Sequence, residues 1–190
     1  MTDSFNDKPW KLFPGWMNSK DSSYWMSKLV NQLSWNSPAI RLYGKTHVVP
    51  RLTCFLAENS IRYRYSGIVH CGEGWPDWFI PILNLVKTEA NVNFNGCLLN
   101  LYRNGNDRMG WHSDDEIELD SSQSIASLSL GACRDFFFKH KLLQKKEVVS
   151  LSDGDLLLMF PTCQKEWLHS LPNRKRISNM RINLTFRRYL

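Results

Sequence analysis

Hydrophobic and polar residues follow two different periods along this chain of 190 residues. In the first half, Trp25, Leu29 and Leu33 recur at helical spacing, which predicts a helix over residues 21–35. A second helix is predicted to begin near Pro81, because proline is tolerated in a first turn and the apolar residues after it share one face.

From about residue 97 the pattern changes to short runs rich in β-branched and aromatic residues, separated by turn signals such as Asn104-Gly105. These runs predict strands at Cys97–Arg103, Ile125–Leu130, Asp135–Lys139, Val148–Leu151, Leu156–Phe160, Trp167–Leu171 and Arg181–Arg187. The runs are not separated by the helices that a parallel sheet requires. The predicted fold class is therefore mainly β with N-terminal helices, which cover one face of an antiparallel sandwich or jelly roll.

The composition is that of a globular protein, with 43% hydrophobic and 22% charged residues. It excludes a disordered chain, a coiled coil and a collagen-like fibre. The net charge of +6 lies entirely in the last 26 residues, where seven basic residues stand against Glu166 alone. A basic segment of this kind suggests a polyanionic partner or an acidic ligand.

The five cysteines are odd in number and form no C-x-x-C pair, so they indicate small core residues in a reducing compartment. The first residues lack the basic start and apolar run of a signal peptide, and no stretch approaches membrane-spanning length. We therefore expect a single domain over residues 1–190 that is soluble, monomeric and without a membrane partner. Its expected location is the cytoplasm, or the nucleus if the source is a eukaryote.

The first residues with candidate chemistry are His112 and Asp114, followed at some distance by His169. On an extended backbone the i, i+2 spacing points His112 and Asp114 to the same side, where both could bind one ion. Two imidazoles and a carboxylate form the facial triad typical of non-haem Fe(II) oxygenases, although zinc is also compatible with these ligands. Taken alone, H-x-D could be a chance tripeptide in a polar loop.

A strictly alternating strand lies near the end of the chain. Its polar face carries Arg181, Asn183, Thr185 and Arg187. An ordinary half-buried strand would show the same pattern. Beside a metal site, however, two arginines could hold the two ends of a small dicarboxylate, and a 2-oxo diacid would also chelate iron. Asn100 and Tyr102 offer an amide and a phenol to complete such a pocket.

With further segments of the chain, these motifs resemble the AlkB family of Fe(II)/2-oxoglutarate dioxygenases. The segments that carry the resemblance are residues 43–45, 63–67, 100–102, 112–116, 127–136, 169–172 and 181–187. The pattern is most similar to the animal homologue that repairs alkylated bases in duplex DNA.

The resemblance implies a double-stranded β-helix core and defined cofactors. Fe(II) would be held by His112, Asp114 and His169, with O2 as the oxidant and ascorbate as the reductant used in vitro. 2-Oxoglutarate would be bound by Asn100, Tyr102, Arg181, Asn183, Thr185 and Arg187. Residues from about 1 to 96 would form the N-terminal helices and a nucleotide-recognition lid, and residues from about 97 to 190 the jelly-roll catalytic core.

By the same resemblance, the activity would be oxidative demethylation of 1-methyladenine and 3-methylcytosine in single- or double-stranded DNA. Formaldehyde would be released, and the reaction would be direct DNA repair. Three alternatives remain: the same chemistry on methylated RNA, a catalytically silent nucleic-acid-binding jelly roll, and a zinc hydrolase with the same three ligands.

Base and backbone contacts are also implied by the resemblance. Tyr65 would stack on a flipped base, while Tyr63 and Glu116 would read the base edge. Tyr43, Gly44 and Lys45 match the hairpin of an inserted finger, and Arg174, Lys175 and Arg176 match a basic triplet that holds phosphates. Without the resemblance, these residues would be assigned to an edge strand, an acidic loop, a turn and a solvated loop.

One departure from the family concerns the connection after residues 138–141. The duplex-repairing homologue carries a long basic loop there, which reaches the undamaged strand. In this chain only residues 142–146 precede the next predicted strand. Single-stranded DNA or RNA is therefore an alternative substrate, bound by stacking and backbone charge.

Overall fold

Six strands form the larger of two facing antiparallel sheets in the computed structural model, which describes residues 8–37, 39–42, 45–65 and 68–190. In spatial order they are β1 (Trp10–Phe13), β12 (Leu156–Met159), β9 (Ile125–Gly131), β14 (Arg181–Arg187), β7 (Gly96–Tyr102) and β4 (Leu52–Ala57). The smaller sheet has the order β11 (Lys146–Leu151), β10 (Arg134–His140), β13 (Trp167–Leu171) and β8 (Met109–His112).

The other elements of the described residues are two hairpins, three α-helices and one turn of 3-10 helix at Asp77–Phe79. The hairpins pair β2 (Ala39–Leu42) with β3 (Lys45–Val48), and β5 (Arg62–Tyr65) with β6 (Ile68–Cys71). The helices are α1 (Ser19–Gln32), α2 (Ile80–Ala90) and α3 (Pro161–Glu166). None of the helices in the described ranges is both long and apolar enough to cross a bilayer.

The predicted mainly β jelly roll with N-terminal helices is confirmed. All seven predicted strands and both predicted helices are present, with end positions shifted by a few residues. The sequence pattern did not predict β1, β4 or β8, and the first two bring residues before position 97 into the larger sheet. Each of these three strands lies at an edge of its sheet, where pairing on one side only tolerates a short or irregular pattern.

The alternation along β14 separates two interiors. Ile182, Leu184 and Phe186 lie on the face of the sheet covered by α1 and α2, and they pack with apolar side chains of these helices in a buried core. The polar side chains of the same strand face the second sheet, and every residue of β14 is buried. An ordinary half-buried strand with a solvated face is therefore excluded. A row of buried polar groups needs partners, which marks the space between the sheets as the candidate site.

The turn before β12 depends on a glycine in the left-handed region. Gly154 has φ of +80°, and its carbonyl accepts a hydrogen bond of 2.9 Å from Met17 N–H. A Cβ at this position would lie 2.0 Å from the Met17 carbonyl oxygen. We expect Gly154→Ala to lower the free energy of unfolding by about 3 kcal/mol, because strain and a backbone clash combine.

Two other glycines provide controls for urea unfolding of this variant. Gly15 has φ of +57° but nothing near its missing Cβ, so Gly15→Ala should cost only about 1 kcal/mol. Gly110 has neither constraint, and Gly110→Ala should change stability by less than about 0.5 kcal/mol. Equal effects at all three positions would contradict the role assigned to the Met17 contact.

Candidate metal centre and cosubstrate pocket

Pairing of β8 with β13 brings two histidines together. His112 stands opposite His169 in the register of the two strands, with ring centroids 4.2 Å apart. Asp114 follows just after β8, and its backbone N–H donates to Gln164 Oε1 at 3.0 Å. One ligand atom from each of the three residues lies within 4.8 Å of the others. The structure thus gathers the three predicted metal ligands.

The surroundings of the two imidazoles orient His112 and keep His169 in the neutral form. His112 Nδ1 lies 3.0 Å from the Gly110 carbonyl oxygen, which leaves Nε2 on the side of Asp114. His169 stacks on Phe136 at 5.2 Å, and burial, with His112 as the next cause, lowers its pKa to about 3. A histidine must be neutral to bind a metal ion, and His169 is neutral at physiological pH.

Asp114 supplies the negative charge of the centre. Its Oδ1 accepts a hydrogen bond of 2.6 Å from Arg187 Nη2, while Oδ2 lies 3.8 Å from His169 Nε2. Burial alone would raise the pKa of Asp114, but Arg187 and the two histidines lower it overall. The centre therefore offers two imidazole nitrogens and one carboxylate oxygen, a donor set that suits Fe(II) and leaves room for further ligands.

Arg181 marks a second subsite in the same space between the sheets. Its guanidinium is 2% exposed, donates from Nη2 to Ser129 Oγ at 2.8 Å and lies over the Tyr102 ring. Among the described residues, its Nε has no hydrogen-bond partner and no carboxylate lies within ion-pair distance. Burial lowers the pKa of Arg181 to about 10, so it stays charged at neutral pH. A buried cation without an acidic partner fits a carboxylate ligand such as one end of 2-oxoglutarate.

The other predicted cosubstrate residues surround the same space. Asn183 Nδ2 donates to Ser127 Oγ at 2.7 Å, and Thr185 Oγ1 donates to Asn183 Oδ1 at 3.1 Å. Asn100 Oδ1 accepts a hydrogen bond of 2.7 Å from Arg51 Nε. One interior cavity is lined by all six predicted cosubstrate residues and the three predicted metal ligands. The residues present therefore fit both iron and a 2-oxo diacid.

Arg187 lines the cavity with the other predicted cosubstrate residues, and its guanidinium also has protein partners. Its Nη2 is bound to Asp114, and its Nη1 donates to Tyr63 Oη at 3.3 Å. Although burial alone would lower the pKa of Arg187, Asp114 raises it well above the usual value. In this structure Arg187 is the counter-charge of Asp114, the carboxylate predicted to bind the metal.

A cleft of about 710 Å³ opens beside the metal centre and shares Asp114 and Arg187 with it. Both acidic and basic side chains line it: Asp115, Glu116 and Asp120, and Lys141, Lys165 and Arg188. Glu116 Oε1 accepts a hydrogen bond of 2.7 Å from Tyr63 Oη. Its Oε2 is buried without a partner in the described part of the chain, so it is an acceptor that a ligand could satisfy.

The residues predicted to contact nucleic acid differ in their burial and in their partners. Tyr63 is fully buried and contacts Glu116, so it supports that carboxylate where a direct base contact was expected. Arg174 Nη2 forms an ion pair of 2.7 Å with Asp135, which leaves Lys175 and Arg176 as the exposed members of the basic triplet. Tyr43 and Gly44 lie outside the described residues, as do the side chains of Lys45 and Tyr65.

Several site residues were not predicted. Ser127 and Ser129 hydrogen bond to Asn183 and Arg181, and their alternation with leucines along β9 was an available signal. Gln164 and Arg51 carry no such signal, because they reach Asp114 and Asn100 from elements far away in the chain.

These features are those of an oxygenase fold with a metal centre between its sheets. The model of the 2OG-Fe(II) oxygenase superfamily matches residues 10–187, and the chain belongs to this superfamily. Membership implies Fe(II), 2-oxoglutarate and O2 as cofactors, in agreement with the donor sets described above.

Within this superfamily, the chain is similar to several individual proteins. The DNA oxidative demethylase ALKBH2 of Mus musculus is 40% identical over 163 residues, which cover 80% of this chain and 66% of that protein. The human protein of the same name is 37% identical over 163 residues, with 80% and 61% covered. The human alpha-ketoglutarate-dependent dioxygenase alkB homolog 3 is 34% identical over 189 residues, with 93% and 64% covered. The chain thus spans 61–66% of the length of these relatives.

A solved structure shows the same fold at lower identity. The structure of OsALKBH1 superposes with a TM-score of 0.71 at 18% identity, covering 97% of this chain and 100% of that one.

Proposed function

We propose that the chain is an Fe(II)/2-oxoglutarate-dependent demethylase of alkylated bases in DNA, with 1-methyladenine and 3-methylcytosine as substrates. The observation that carries this proposal is the position of Glu116. Its carboxylate lines a cleft beside the metal centre, and one of its oxygens is buried without a partner among the described residues.

His112, Asp114 and His169 would hold the iron, and Arg181 with Tyr102 and Asn100 would hold 2-oxoglutarate. Together with O2, these cofactors supply an oxidation that hydroxylates the N-methyl group, so that succinate, carbon dioxide and formaldehyde are released. The protein's own contribution is to orient the ligands and exclude competing reactions. Arg187 keeps Asp114 ionised, and the two facing sheets enclose the reacting groups.

Glu116 would select the damaged base. Methylation at the ring nitrogen makes adenine or cytosine cationic at neutral pH, whereas the normal base is neutral. Tyr63 holds Oε1 of Glu116 in place and leaves Oε2 as the acceptor. A carboxylate in a partly buried cleft attracts the cationic base more strongly than the neutral one.

The basic side chains of the cleft rim would bind the phosphates. Lys141, Lys165 and Arg188 line the cleft, and Lys175 and Arg176 are exposed. Phosphate contacts position a strand without reading its sequence. Only five residues connect β10 to β11, which favours methylated RNA or single-stranded DNA as a second candidate substrate.

The proposal is tested by mass spectrometry of 3-methylcytosine oligonucleotides after incubation with Fe(II), ascorbate and 2-oxoglutarate. Single-stranded DNA, duplex DNA and RNA would be compared. For Glu116→Gln, we expect kcat/KM to fall at least about 10-fold on the methylated base, because one charge-assisted interaction worth more than about 1.4 kcal/mol is lost.

Asp115→Asn is the matched control, because Asp115 is an acidic neighbour in the same cleft with its side chain 62% exposed. Its kcat/KM should stay within about twofold of the wild type, because exposed charges are screened. Equal losses in both variants would contradict the selective role of Glu116. Retention of the methyl group on every substrate, despite bound 2-oxoglutarate, would overturn the demethylase proposal itself.

A further inference from the structure

Two buried guanidinium groups lie over one aromatic ring beside the cosubstrate pocket. The central carbon of Arg181 is 5.5 Å from the ring centroid of Tyr102, and that of Arg134 is 5.8 Å from it. Arg134 begins β10 and is 1% exposed. Two cations so close to one tyrosine are unusual in a protein interior, because burial of a charge is costly without a counter-charge.

The backbone around Arg134 satisfies most of its donors but not its charge. Its Nη2 donates to the Asp107 and Pro172 carbonyl oxygens at 2.9 and 2.7 Å, and its Nη1 donates to the Asn104 carbonyl oxygen at 3.3 Å. Its Nε is buried without a hydrogen-bond partner in the described ranges. These contacts hold the guanidinium rigidly, so its position relative to Tyr102 is set by the fold.

The carboxylates closest to Arg134 are already engaged by other arginines. Asp107 binds Arg103 at 2.8 Å, and Asp135 binds Arg174 at 2.7 Å. Among the described residues, neither Arg134 nor Arg181 has a carboxylate within 4.0 Å. Burial lowers the pKa of Arg181, Tyr102 raises it and Arg134 lowers it, as expected for two like charges beside one ring. With two guanidinium groups and no carboxylate in contact with either, the Arg181 end of the pocket has an excess of positive charge.

We propose that Arg134 is a positioning residue for the cosubstrate, which acts through Tyr102 and Arg181 to select a 2-oxo acid with a second carboxylate. Arg181 would contact that carboxylate directly. Arg134 would fix Tyr102 and add a second positive charge that only an anion in the pocket can balance. The inference rests on the cosubstrate and is independent of the nucleic-acid substrate.

A binding measurement without nucleic acid tests this role. Calorimetric titration of the Fe(II) protein under argon would compare 2-oxoglutarate with 2-oxopentanoate, which has the same chain length but lacks the second carboxylate. For Arg134→Gln we expect the Kd of 2-oxoglutarate to rise about 10-fold, or about 1.4 kcal/mol, while that of 2-oxopentanoate stays within about twofold. Arg134→Lys keeps the charge but loses the planar fork, so it should recover part of the affinity, with a Kd of 2-oxoglutarate about threefold above that of the wild type.

Arg108→Gln is the control, because it removes an exposed charge from the loop whose Asn104 and Asp107 carbonyl groups bind Arg134, and it should leave both Kd values unchanged. If Arg134→Gln weakens the binding of both ligands equally, the role of Arg134 is merely structural. If the binding of both ligands is unchanged, Arg134 has no role in cosubstrate binding. If Arg134→Gln does not fold, the NMR signal of the Arg134 Nε–H group in the wild-type protein would be followed instead. This signal is assigned by comparison with Arg134→Lys, in which it is absent. This signal should shift with 2-oxoglutarate only, and an equal shift with both ligands would overturn the proposal.

Discussion

Replacement of His169 with alanine is expected to abolish Fe(II) binding and turnover together, with kcat lowered by at least about 10³-fold. His169 is one of three donors, and its Nε2 faces the free oxygen of Asp114 at 3.8 Å. Loss of this donor leaves one imidazole and one carboxylate, which cannot form a facial triad. Metal analysis after gel filtration and single-turnover assays would measure both effects.

His140→Ala is the matched control for this experiment. His140 lies on β10, and its Nδ1 accepts hydrogen bonds from the backbone N–H groups of Leu142 and Leu143 at 3.1 and 3.0 Å. It has no contact with the metal centre, so its variant should bind iron with wild-type stoichiometry. A His169→Ala protein that is folded and retains one tightly bound iron would show that His169 is not a ligand.

The second large effect is expected for Arg187→Met, which should lower the free energy of unfolding of the metal-free protein by about 3–5 kcal/mol. Arg187 is the direct counter-charge of Asp114 at 2.6 Å, and both side chains are buried. Without the arginine, a carboxylate is left in the interior with no cation in contact with it. A bound divalent ion would supply that counter-charge, so we expect a clearly smaller loss in the metal-loaded protein.

Urea unfolding with a chelator and with Fe(II) under argon would measure this difference. The double variant Arg187→Met/Asp114→Asn removes both charges and should regain most of the lost stability in the metal-free form. Arg188→Met, at the half-buried neighbouring position, should cost less than about 1 kcal/mol. Equal destabilisation with and without metal, or a double variant less stable than Arg187→Met, would contradict this assignment.

Local geometry explains what could be predicted from the sequence. Side chains alternate across any extended strand, so the polar face of β14 and the common direction of His112 and Asp114 follow from spacing alone. The same period, with turn residues between the runs, predicted the seven strands from residue 97 onward. The match of several motifs to one family then indicated the cofactors that the superfamily assignment supports.

Only the tertiary structure decided which partners the charged residues have. The strands β1, β4 and β8 are edge strands, and their pairing with distant strands defines them more than their own pattern does. The contact of Arg187 with Asp114 was not predicted, and it forms because β14 and the segment after β8 meet between the sheets. Tyr63 is buried behind Glu116 for a similar reason.

The sequence alone therefore determined the classes of side chain in the site, because the spacing of residues on one strand is a local property. The tertiary structure decided their pairing, because an ion pair or a hydrogen bond depends on which strands the fold places side by side. The two guanidinium groups over Tyr102 illustrate this difference. Arg134 and Arg181 are 47 positions apart, and only the packing of the two sheets brings both to one ring.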